Sequence, residues 1–125
     1  MIIRNVKFFA AILFACSLYA CMKCDPYTKQ CKLTTDTYIA QMAGNVQYEV
    51  RDSGSVFVKS IGYHGPDGWV VVHQPTLPFT VTFPVTSSAK ISIIAEGTAI
   101  NGHFSIKSRF MAVGDTILKK DVCSN

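Results

Sequence analysis

From Asn45 onward apolar and polar side chains alternate with a period of two, the spacing of strands that bury one face. Val46, Tyr48 and Val50 alternate with Gln47, Glu49 and Arg51, and Phe79, Val81 and Phe83 with Thr80 and Thr82. Ile91, Ile93 and Ala95 share one face of a segment from Ala89 to Glu96, and Phe104, Ile106 and Phe110 alternate with Ser105, Lys107 and Arg109. Val56 to His64, Trp69 to His73 and a last segment ending near Cys123 complete seven predicted strands. Turn signals separate them: Asp52-Ser53-Gly54-Ser55, Gly65-Pro66-Asp67-Gly68, Asn101-Gly102 and Gly114-Asp115, with a Pro-rich connection over Gln74–Pro78. No amphipathic helix of three turns interrupts the series. The expectation is all-β: an immunoglobulin-like antiparallel β-sandwich of about seven strands over 45–125, with a small barrel as the competing architecture. Trp69 is expected in the core of such a sandwich; exposed beside Tyr63, the two would instead form a binding surface.

The first 44 residues read differently. Met1 to Lys7 carries two cations, and Phe8 to Ala20 is a 13-residue stretch of apolar and small side chains. A charged start, an apolar run and a small-residue end are the pattern of a signal peptide, here 1–20. The run is short of the ~20 residues a permanent spanning helix needs. Leu18-Tyr19-Ala20-Cys21 resembles the lipobox of bacterial lipoproteins, although Tyr19 is larger than usual there. That resemblance implies acylation of Cys21; Leu13-Phe14-Ala15-Cys16 is a second match, and simple cleavage after Ala20 is the alternative. Acyl chains add about 0.8 kcal/mol per buried CH₂, enough together for stable anchoring. Residues 21–44 read as a lipid-anchored tether, with loop signals at Asp25-Pro26 and Thr34-Thr35-Asp36-Thr37 and a short helical turn over 38–43 ended by Gly44. The expected location is the cell envelope, on the extracytoplasmic side of a membrane, or secreted if no lipid is added.

Export changes how the five cysteines are read. With Cys21 acylated, Cys24, Cys31 and Cys123 are left as disulfide candidates, allowing one bridge and one free thiol. Cys24–Cys31 would close a tight loop, whereas either of them bonded to Cys123 would staple the tether to the last strand. Cys21-Met22-Lys23-Cys24 satisfies C-x-x-C, but no fourth ligand lies near enough to complete a zinc site, and no βαβ context supports a redox role.

Charge and candidate chemistry narrow the function further. The 125-residue chain has a formal charge of +4, yet without the first 20 residues only ten basic and eight acidic side chains remain. That balance is too mild for a nucleic-acid partner. His64, His73 and His103 sit at predicted strand ends or turns without metal-ligand spacing. There is no G-x-S-x-G elbow and no Gly-rich phosphate loop. No catalytic residue, metal or cofactor is expected. A small hydrolase would require His103 to meet Ser105 or Asp115 in one pocket.

Val46-Gln47-Tyr48-Glu49-Val50, Ile61-Gly62-Tyr63, Asp67-Gly68, Leu77-Pro78-Phe79 and Ala95-Glu96-Gly97 occur in an order similar to the extracytoplasmic domain of MmpS-type small membrane proteins. The resemblance covers about 80 residues and implies an immunoglobulin-like sandwich outside a membrane, accessory to a larger exporter. The chain departs from that family in having a lipobox-like signal where the family keeps a membrane helix, so the fold carries over better than the exporter role. The functional expectation is a non-enzymatic envelope lipoprotein that binds a protein partner; the alternative is a secreted, disulfide-stapled binding domain.

Overall fold

A computed structural model describes residues 28–125, and these form an all-β domain. The strands are β1 (Lys29–Thr34), β2 (Tyr38–Ile39), β3 (Gly44–Gly65), β4 (Gly68–His73), β5 (Phe79–Val85), β6 (Lys90–Ile91), β7 (Ile93–Ala112) and β8 (Asp115–Ser124). Every pairing is antiparallel. The alternation from Asn45 onward therefore does what it predicts. The expected signal peptide and Cys21 and Cys24 lie outside the described residues.

Two very long strands organise the domain. β3 and β7 pair along almost their whole lengths, from Asn45↔Met111 to Tyr63↔Ile93. Yet the ring of Tyr48 lies 5.1 Å from that of Tyr63, fifteen positions along the same strand. A straight strand would separate them by about 50 Å. The paired ribbon of β3 and β7 is thus folded back on itself into two layers. The first contains β5, residues 44–54 of β3, residues 102–112 of β7, and β8. The second contains β4, residues 56–65 of β3, residues 93–101 of β7, and β1. The fold is sandwich-like, with two strands shared between its layers.

The corner lies where turns were expected. Asp52–Ser55 and Asn101-Gly102 do not end strands; they are the bend within each long strand, and Gly54 and Gly102 face each other in register. A Cβ on Gly102 would sit 2.1 Å from the Ser53 carbonyl oxygen, and one on Gly54 would sit 2.4 Å from that of Asn101. Only hydrogen side chains let the two backbones approach so closely while bending. Register shifts between Ser55 and Val56 and between Val58 and Ser60 mark β-bulges beside the corner. A bulge changes the parity of a strand. Val46, Tyr48 and Val50 point inward before the corner and Ile61 and Tyr63 after it; in β7 the inward set changes from Ile93, Ala95 and Ala99 to Phe104, Ile106 and Phe110. These residues, with Leu33, Val58, Phe83 and Cys123, fill one core between the layers.

The segment expected to be a tether is part of the domain from Lys29. β1 adds to the edge of β7, from Lys29↔Ala99 to Thr34↔Ile94, and buries Leu33. The short helical turn expected over 38–43 is absent; β2 instead pairs with β6, and the Tyr38 ring packs tilted against Phe110, centroids 5.6 Å apart, over the end opposite the corner. The layer fold brings the edges of β1 and β8 together. Cys31 and Cys123 form a disulfide there, and the Thr34 N–H donates to Asp121 Oδ2 at 3.2 Å.

Candidate functional site

The tight β3–β4 hairpin decides where the aromatic side chains go. Gly65↔Gly68 closes the turn, so Tyr63 is opposite Val70 and His64 opposite Trp69. Neighbouring positions of a strand point to opposite faces. Tyr63 enters the core, 8% exposed, against Tyr48, Phe79 and Phe83. Trp69 therefore lies outside, 45% exposed, contrary to the expectation of a core Trp. The expected pairing of Tyr63 and Trp69 on one surface does not occur, because the sheet separates them.

Trp69 is nevertheless well positioned. A Cβ built on Gly62 would sit 2.6 Å from Trp69 Cζ2 and 3.2 Å from Ile94 Cγ1, so the indole covers the glycine beside Ile94. Val71, directly opposite Gly62, is 50% exposed. His64 packs edge-on against the indole with centroids 4.9 Å apart. Farther along the same outer face, Ser60 lies between His73 and Glu96, and Glu96 is opposite Lys32. An apolar centre of Trp69, Val71 and Ile94 thus has a polar rim.

Two open grooves flank the patch. One, of about 500 Å³, runs from His64 and Pro66 to Pro84, Ser87 and Lys90. The other, of about 340 Å³, is lined by Lys32, the exposed Phe57, Lys59 and Glu96. The first is lined by no carboxylate and the second by no histidine. Among the described residues no hydrogen bond joins His64 to Asp67, and no group of three His, Cys, Asp or Glu side chains has metal-binding geometry. His103 is opposite Ser124 whereas Asp115 is opposite Ala112, at the two ends of the β7–β8 hairpin. Nine strand residues keep those two about 30 Å apart.

Tyr48 is a titrating group inside the core. The Tyr48 hydroxyl donates to the His64 carbonyl at 3.0 Å, and burial pushes its pKa up to about 12, partly offset by a backbone hydrogen bond from Ser92. This bond ties the first layer to the strand that carries the Trp69 hairpin. Comparison with protein-family models, curated proteins and solved structures gives no match to this chain.

Proposed function

We propose that this chain is a non-enzymatic cell-envelope lipoprotein whose domain acts as a binding or accessory module for a protein partner. The observation that carries the reading is Trp69, held half-exposed over Gly62 with Val71 and Ile94 on a rigid sheet face. A large indole fixed by packing, yet open to solvent, supplies apolar contact at little entropic cost on association. The leader, the lipobox-like Cys21 and the MmpS-like order of motifs support an extracytoplasmic location. A disulfide joining two strand edges is chemically at home there.

Site-specific photo-cross-linking in intact cells tests the partner. A cross-linker replacing Val71 is expected to capture one protein, whereas the same group at Thr82, on the opposite outer face, captures none. Equal capture from both positions, or none from either, would refute the assignment of this face. The mass of the mature N-terminus separates the two modes of export. A diacyl or triacyl adduct on Cys21 supports the lipoprotein, and a free amine there supports the secreted alternative.

A further inference from the structure

The outer face of the other layer has a different chemistry. Its outward positions are Gln47, Glu49 and Arg51 on β3, Lys107 and Arg109 on β7, and Leu118, Lys120 and Val122 on β8. Four of the nine cations of residues 28–125 are here, but only one of the seven carboxylates. That carboxylate, Glu49, lies opposite Lys107 and is ion-paired to Arg51 at 2.6 Å. Lys107 is also directly opposite Lys120, a like-charge pairing that destabilises an isolated sheet. Among the described residues Lys107, Arg109 and Lys120 form no ion pair, and Arg109 donates only to Gln47 Oε1 at 3.4 Å. Beside this cationic strip, Leu118 and Val122 are exposed by 45% and 52% on either side of Lys120.

We infer that this face docks on an anionic lipid surface. The cations match phosphate headgroups, and Leu118 and Val122 reach the apolar boundary beneath them. Nucleic acid would share the charge but prefers aromatic platforms for base stacking, and this face carries none. The Trp69 patch is on the opposite outer face, so a domain seated on lipid would still present it outward. The inference stands apart from acylation, because the contacts belong to the folded domain.

The test compares the full chain with its Lys107→Gln/Arg109→Gln/Lys120→Gln variant, both carrying Cys16→Ser and Cys21→Ser so that no acyl chain contributes. Each is sedimented with vesicles of phosphatidylcholine alone and of phosphatidylcholine with phosphatidylglycerol; any binding by the leader is common to all arms. Partitioning onto the anionic vesicles is expected to fall about 5-fold per cation removed, roughly 100-fold in all. Binding to phosphatidylcholine alone should not change. Hydrogen exchange of the unaltered face on anionic vesicles provides a readout independent of how the variant folds, with new protection expected over residues 105–122 and none over 68–73. Equal partitioning of both chains, protection confined to β4, or tighter binding to an oligonucleotide than to anionic vesicles would overturn the inference. Failure of this test leaves the Trp69 reading untouched, since photo-cross-linking reports on the other face.

Discussion

Breaking the Cys31–Cys123 bond tests how the edges of the fold are held. The bridge spans a sequence separation of 92 residues, nearly the whole of the described domain. In the chain-entropy description, closing a loop of that length in the unfolded state contributes about 4.6 kcal/mol. That is a large share of the 5–15 kcal/mol typical of a small domain. Without the bridge, β1 keeps its pairing with β7 and the burial of Leu33, so the domain should still fold but lie close to its stability limit. Urea unfolding of the oxidised and reduced protein, followed by tryptophan fluorescence, measures the difference directly because reduction leaves both side chains in place. With a slope of about 2 kcal/mol/M, the midpoint should fall by about 2 M on reduction. Cys31→Ala/Cys123→Ala should fall slightly further, since Cys123 is fully buried. A midpoint shift below about 0.5 M would refute the assignment of this stabilisation to loop closure. So would a non-reduced peptide map showing Cys24 linked to Cys123.

Three further outcomes follow from the same structure. Tyr48→Phe removes the donor to the part-buried His64 carbonyl and should cost about 1 kcal/mol near neutral pH. Because the folded pKa of Tyr48 is raised to about 12, the stabilisation from its bound proton is complete below about pH 10 and is lost as the pH rises toward 12; the variant should lose less stability across that interval, and parallel pH profiles would count against the burial of the hydroxyl. Gly102→Ala forces a methyl to within 2.1 Å of the Ser53 oxygen and should destabilise by about 3 kcal/mol or more, measured as a fall in thermal midpoint; an unchanged midpoint would mean that the corner is not so tight. Trp69→Ala should cost less than about 1.5 kcal/mol, where a core Trp costs about 3–5; a core-sized loss in chemical unfolding would show that the indole is buried.

The all-β class, the inward residues Val46, Tyr48 and Val50 of β3 and Ile93, Ala95, Phe104, Ile106 and Phe110 of β7, the β3–β4 and β7–β8 hairpins and the availability of Cys31 and Cys123 for one bridge could be read from the chain without coordinates. Each depends on alternation or on a turn of a few residues, and local backbone chemistry settles such features. β1 was legible too: Cys31 and Leu33 alternate with Lys and Thr, though the polar composition made the segment look like a tether. The outward position of Trp69 also had a local signal. A hairpin closed by Gly65 and Gly68 puts Trp69 opposite His64, on the face that an inward Tyr63 leaves outside. What no local pattern contains is the corner. Asp-Ser-Gly-Ser and Asn-Gly have the same turn chemistry whether a strand ends or bends, and the outcome depends on Gly54 meeting Gly102 across 48 residues of chain. The tertiary fold alone decided that long-range pairing. It thereby set which strand edges meet at the disulfide and how the side chains divide into an aromatic outer face and a cationic one, because burial between two layers is a property of their packing and not of either strand.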